Sequence, residues 1–326
     1  MKKYLSIKHF LILALIAFTV LACNNDDDGA PSGETIFEIA SANPNLSTLV
    51  EALELTDLVN TLDGPGTFTV LAPTNAAFDL FLASGNFAGI GDVPVTVLRE
   101  LLLNHVIGSS IDALTFRTLA RNYAETLAEG PTSGTNLSLY FDATGAAIEL
   151  NGASSVVDEN VQASNGIIHT VDAVIDFPTV VTFVTNDINF ITLTEALTTA
   201  TPNTDFASIL SGTGPFTVFA PAEIAFETLL DTNANWNTVD DIEEGLLTAV
   251  LQHHVVNDNL RSEDITDQST ATTLEGDDIT FSLSIGDVTI TDGSGNSDIL
   301  LAVDNIQASN GVIHLITKVM IPDTTN

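Results

Sequence analysis

The chain has 326 residues, 45% of them hydrophobic and 16% charged, so it is long enough for two domains with their own cores and too apolar for a disordered chain. Its 43 acidic residues stand against 8 basic ones, a formal net charge of −35. A field of that sign repels phosphate backbones and anionic headgroups, which excludes nucleic acid and a basic membrane-docking face.

The first 22 residues read as a signal peptide. Lys2, Lys3 and Lys8 precede an apolar stretch from Phe10 to Ala22, shorter than the roughly 20 residues that span a bilayer. VLAC at 20–23 resembles the bacterial lipobox, which implies that Cys23 carries a lipid and becomes the mature N-terminus. Cys23 is the only cysteine, so neither a disulfide nor a Cys-based metal site is expected. Residues 23–33 form a Gly/Pro-containing acidic tether. An acidic run after a lipidated cysteine resembles the export signal of Bacteroidetes-type surface lipoproteins. The expectation is an outer membrane lipoprotein exposed on the cell surface, touching the membrane through its lipid alone.

Beyond the tether, apolar residues at Leu46, Leu49, Val50, Leu53, Leu55, Leu58 and Val59 predict helix within 35–62, with Asn43 or Asn45 as a cap. Phe68, Val70 and Ala72 alternate as in a strand. Pro73-Thr74 then makes a turn and cap before a helix from Asn75 to Leu82, and Pro94 starts another that runs to Leu103. From about residue 105 the pattern becomes that of antiparallel strands, at 137–141, 146–150 and 166–171, joined by turns at Asn151-Gly152 and Asn165-Gly166.

The same order then recurs. GTFTVLAPTNAAF (66–78) returns as GPFTVFAPAEIAF (214–226), LLNHVI (102–107) as LQHHVV (251–256), and QASNGIIHTVDAVIDFP (162–178) as QASNGVIHLITKVMIP (307–322). Three blocks repeated in order with a nearly constant period define an internal duplication. Two α+β domains are expected, 34–178 and 180–322, each with N-terminal helices packed on a mostly antiparallel β-sheet or sandwich.

These blocks resemble the fasciclin domain family, whose boxes read G-x-F-T-V-F-A-P-T-N-x-A-F, L-x-x-H-V and A-S-N-G-V-I-H-x-I-D-x-V-L-x-P. The resemblance covers nearly all of the chain after residue 33. It implies an extracellular adhesion or matrix-binding module without enzyme activity or cofactor. The chain departs from the pattern at Asn104 and His253, where the family often has tyrosine, at Ala222-Glu223 in place of Thr-Asn, and at Thr317 in place of the aspartate that Asp172 supplies.

Histidines fall at matched places: His105 with His254, and His169 with His314. Alternation puts His169 on one strand face with Ile167 and Val171, and His314 with Val312 and Ile316. A half-buried imidazole there needs a hydrogen-bond partner. The expectation is that the closing box completes each sheet, with Asn165-Gly166 and Asn310-Gly311 forming tight turns and each histidine fixing the register. On a strand, the adjacent His253 and His254 would point to opposite faces, which argues against a shared metal. Asp292, Ser294, Asn296 and Asp298 have the alternate spacing of a weak calcium loop, but the twelfth position is Val303 instead of glutamate, so a polar hairpin loop is the simpler reading. Trp236 lies in a polar stretch and is read as core or domain-contact packing.

Three functions compete. The first is a surface-anchored, non-catalytic adhesion module binding extracellular matrix, a cell-surface protein or a polysaccharide. The second is a carbohydrate-binding accessory protein of a surface glycan-uptake system, weakened by the scarcity of tryptophan and tyrosine. The third is a hydrolase built on the duplicated histidines.

Overall fold

The structure, a computed structural model, describes residues 33–323. The signal-peptide segment, the lipobox with Cys23 and nearly all of the tether lie outside the described residues.

The helical pattern after residue 35 resolves into three short helices: α1 (Ile36–Ala42), α2 (Ser47–Leu55) and α3 (Val59–Asp63). The breaks have local causes. Pro44 cannot continue α1, and Asn43 instead caps a single 3₁₀ turn by accepting from the Asn45 amide. Asp57 takes φ 55°, a left-handed conformation that ends α2. Thr35 and Glu38 form a capping box at the start of α1.

The first repeat continues through β1 (Phe68–Pro73), α4 (Asn75–Ser84), α5 (Val95–Leu103), β2 (Val106–Ile107), α6 (Ala113–Leu119), β3 (Arg121–Glu129), β4 (Asn136–Asp142), β5 (Glu149–Leu150), β6 (Ser154–Ala163) and β7 (Gly166–Val171). Thr74 caps α4 by accepting from the Ala77 amide. Pro94 is the N-cap of α5 and lies just before the helix. The strand expected at 146–150 contracts to two residues.

The sheet does not stay open. β1 to β7 close into a barrel in chain order, sealed by β7 lying parallel to β1 with Leu71 opposite His169. The other pairings are antiparallel. Closure removes the sheet edges that an open sandwich would expose.

The second repeat follows the same plan: α7 (Val180–Asn186), α8 (Ile191–Thr198), α9 (Phe206–Leu210), β8 (Phe216–Pro221), α10 (Glu223–Leu230), α11 (Glu244–His253), β9 (Val255–Val256), β10 (Thr270–Thr272), β11 (Asp278–Ser284), β12 (Asp287–Thr291), β13 (Ile299–Ala308) and β14 (Gly311–Ile316). Its strands run β10-β11-β12-β13-β14-β8-β9, and an isolated bridge from Val256 to Thr273 brings the two ends together. It has no helix at the place of α6.

Each repeat has two apolar cores. One lies between the helices and the β1/β7 or β8/β14 pair, and the other fills the barrel. Tyr140, from β4 of the first repeat, joins the helical core of the second, and Trp236 packs against that same core, half-buried.

Candidate functional site

The histidine at the end of each middle motif faces inward. His105 follows α5; its Nδ1 lies 2.7 Å from the Leu101 carbonyl and its Nε2 accepts from the Ile175 amide at 2.8 Å. His254 repeats this with the Val250 carbonyl at 2.7 Å and the Met320 amide at 2.9 Å. Only the neutral tautomer with its proton on Nδ1 satisfies both bonds. Burial pushes each ring down to about 4, the neighbouring carbonyl opposing it only in part.

The closing-box histidines make a different connection. His169 donates from Nε2 to the Ile111 carbonyl at 2.9 Å, and its Nδ1 faces the Asn160 amide at 3.4 Å. His314 does the same with Leu260 at 2.7 Å and Asn305 at 3.4 Å. Each ring thus links a bulge in β6 or β13 to the segment after β2 or β9. Asn160 and Asn305 stand at that bulge with φ 61° each, and their side chains accept from Ala113 and Ser262. Thr69 and Thr217 tie the same segments down by one donated and one accepted bond each.

Asn165 and Asn310 do more than turn the chain. Each accepts from the first amide of a helix, Ile36 or Val180, and donates to two carbonyls, Leu62 and Gly64 or Leu210 and Gly212. The hairpin loops themselves are the two residues before the glycine, since Ala163 pairs with Gly166 and Ala308 with Gly311. Those glycines open β7 and β14. A Cβ on either would sit 2.1 Å from the Phe68 or Phe216 carbonyl oxygen, so the parallel closing strand can approach only where no side chain stands.

His253 and His254 are not on a strand, as alternation suggested, but end α11. His253 is fully buried beside Thr273, Glu275 and Asp277. Its Nε2 accepts from the Gly293 amide at 3.2 Å, which places the ring proton on Nδ1, toward the Thr273 hydroxyl at 3.3 Å and the Glu275 carboxylate at 3.7 Å. In this tautomer the one ring lone pair, on Nε2, is engaged by the Gly293 amide, and Nδ1 presents its proton to the carboxylate side.

The 292–298 segment likewise closes on itself. The Asp292 carboxylate, nearly buried, accepts from the Ser294 hydroxyl, the Asn296 amide and side chain, and the Ile321 amide. Asp298 is exposed and pairs with Lys318.

Open space lies elsewhere, along β3 and β4 where the repeats meet. A cavity of about 160 Å³ is lined by Tyr123, Tyr140, Asp187, Asn189, Val303 and Leu315 among others. A second of about 320 Å³ shares Arg121 and Asp187 with it, and a third of about 200 Å³ shares Tyr123. Tyr123 donates to Asp187 at 2.8 Å, and Arg121 is held by Asp142 at 2.7 Å. Tyr123 and Tyr140 face each other across the β3–β4 pair of the first repeat, and Asp187, Asn189, Val303 and Leu315 of the second repeat complete the lining around them.

Both copies match the family profile described as the fasciclin domain, at 44–178 and 189–322, and the chain belongs to the fasciclin-domain family. It is 27% identical over 272 residues to the transforming growth factor-beta-induced protein ig-h3 of Sus scrofa, covering 81% of this chain and 36% of that protein. Human periostin is 27% identical over 266 residues, covering 81% and 29%. The chain thus spans about a third of the length of these two relatives. Protein sll1483 of Synechocystis is 34% identical over 144 residues, 44% of this chain and 74% of that protein. Among solved structures, a FAS1 domain pair from the insect cell adhesion molecule Fasciclin I aligns with 86% of this chain and 98% of its own, at a TM-score of 0.55 and 16% identity. Among the described residues no helix is long and apolar enough to cross a membrane.

Proposed function

We propose that the protein is a cell-surface lipoprotein that works as a non-catalytic adhesion module through two fasciclin domains, 34–178 and 180–322, with its signal peptide at 1–22, its lipid on Cys23 and a tether at 23–33. One observation carries the non-catalytic part of this reading. Both ring nitrogens of His105, His169, His254 and His314 face backbone groups, so the histidines that a hydrolase would use as proton shuttles are occupied in holding the fold. His105, His169, His254, His314, Asn165, Gly166, Asn310 and Gly311 are on this view architectural residues. Family membership and the fold shared with a domain pair of a cell adhesion molecule support the adhesive part. Tandem domains suit that task, because weak contacts held at one effective concentration add up.

The reading is tested in the producing cells. Deletion of the gene lowers attachment to matrix-coated and glycan-coated surfaces, and Cys23→Ala releases the protein from the membrane fraction and abolishes incorporation of a fatty-acid label. Unchanged attachment across several surfaces would remove the adhesive role, and an unlabelled wild-type protein would remove the anchor.

A further inference from the structure

The first barrel closes thinly at one seam. β2 meets β3 at a single pair, Ile107 with Thr126, and from Arg121 to Glu125 no strand lies on that side of β3 among the described residues. The backbone there is aimed outward. In the facing Tyr123–Tyr140 pair, the Tyr140 amide and carbonyl turn away from β3 to the side chain and amide of Asn151. By the alternation of an antiparallel ladder, the Tyr123 amide and carbonyl then turn away from β4. The Tyr123 amide donates to the side chain of its own neighbour, Asn122 Oδ1 at 2.8 Å, where a partner strand would supply a carbonyl. The free side of β4, by contrast, lies against the second repeat, whose Gln307 amide donates to Ser138 Oγ. The second repeat has no comparable run, since β10 spans only Thr270–Thr272.

A groove of about 360 Å³ runs beside this edge, with β3 as one wall and Ile107, Ile111, Leu119 and Phe141 across from it. Strand alternation divides what a guest strand would meet there. Ala124 packs on the apolar core that holds Ile107 and Phe141, so an apolar side chain beside it continues that core. The opposite face carries Glu125, which is exposed; Glu129 follows along the strand, and its amide donates to the Glu100 carboxylate. The bases nearby, Arg121 and Arg261, are held by Asp142 and Glu263.

From this combination we infer that the open edge of β3, residues 121–125, takes an extended segment of a protein partner as an added strand, its apolar side chains entering the groove and its basic ones alternating with them on the Glu125 face. The inference rests on the reading of the protein as a surface binding module and supplies it with a partner class. Charge selects among the occupants. The chain's own residues 24–32 carry Asp26, Asp27 and Asp28 and no base, so they have the wrong sign. A second copy would bring one net charge of −35 against another. A basic strand is drawn both by Glu125 and by the field of the whole chain.

Isothermal titration of the lipid-free protein, residues 24–326, with the capped peptide TKVKIKVKT tests it. The peptide binds saturably, and binding slows hydrogen exchange at residues 121–125 but not in β10. A strongly acidic chain attracts any basic peptide, so two N-methylated forms separate strand addition from charge, one methylated on the lysines and the other on the valines and isoleucine. Only one set of alternate amides faces β3, so one form binds like the parent and the other loses more than about 30-fold. Glu125→Lys weakens the parent peptide about 3- to 10-fold without shifting the melting temperature. No binding at millimolar peptide, loss in both methylated forms or in neither, equal affinity in Glu125→Lys, or protection elsewhere than 121–125 would overturn the inference. A concentration-dependent dimer that protects the same residues would overturn it too, by giving the edge to a second copy. Failure here with attachment still lost on gene deletion rejects the edge and leaves the adhesive role standing; peptide binding with attachment unaffected does the reverse.

Discussion

In the first repeat His105, Asn165 and His169 each bind particular backbone atoms, and in the second His254, Asn310 and His314 bind the corresponding atoms at nearly equal distances. Positions that diverge do so where the surroundings differ. Asn75 holds the start of α2 through the Thr48 amide, and Glu223 takes over by binding the amide and hydroxyl of Thr192, whereas the cap that Thr74 gives α4 is lost at Ala222. Phe116 of α6 packs edge-on to His169 in the first barrel; the second has no such helix, and Phe219, in the place of Leu71, stacks on His314 instead. Gln162 is exposed, whereas Gln307 is buried at the junction, bonded to Asn259, Arg261 and Ser138. The repeated residues thus answer to the fold, and the divergent ones to what lies beside each copy.

If that division holds, the largest losses follow from the shared positions and are alike in the two copies. Gly166→Ala or Gly311→Ala forces a methyl group against a carbonyl oxygen and costs more than about 4 kcal/mol, read as loss of the cooperative unfolding transition of that repeat. Asn165→Ala or Asn310→Ala strips a buried amide and two carbonyls of their partner and lowers stability by about 2–4 kcal/mol in denaturant titration. A marked inequality within either pair breaks the equivalence.

Acid sharpens the comparison. His105 and His254 have a proton affinity lowered on folding from the ordinary 6.5 to about 4, so the unfolded chain takes up these protons first. The stabilisation from the neutral rings is complete above about pH 6.5 and is lost as pH falls through about 4, roughly 3 kcal/mol per ring. Replacing either ring by glutamine flattens the stability profile over that window, measured by urea unfolding at a series of pH values.

Smaller effects belong to the second repeat alone. His253→Asn loses the bond to the Gly293 amide and costs about 1–2 kcal/mol, less than the loss at the neighbouring His254. Millimolar calcium raises the melting temperature no more than magnesium does, since Asp292 already has four protein donors.

Much of the fold could be read from residues. Periodicity located the helices before residue 104 and the strands β1, β4 and β7, and the repeated boxes located the duplication, because core faces and obligatory glycines leave marks at short range; it missed β3 and β6, and α6 stands where strands were expected. Barrel closure left none: β1 meets β7 nearly 100 residues later in the chain (Phe68 beside Gly166), a contact no local pattern encodes. The histidines drew notice as a repeated residue type, yet their partners are backbone atoms, which have no sequence identity. Asn160 and Asn305 escaped notice although they stand just before the repeated Gln-Ala-Ser-Asn-Gly, where a positive φ favours asparagine. The cleft was hidden for a different reason, since much of its lining, Asp187, Asn189, Val303 and Leu315, comes from the second repeat, far from Tyr123 and Tyr140 in the chain.

The most direct measurement is a long-range ¹⁵N–¹H spectrum of the imidazole rings at pH 5.5. His105 and His254 are expected there as neutral rings, protonated on Nδ1 and bare on Nε2. Rings that titrate freely near 6.5, or that carry their proton on Nε2, would mean these histidines stand open to solvent chemistry and would contradict the architectural role.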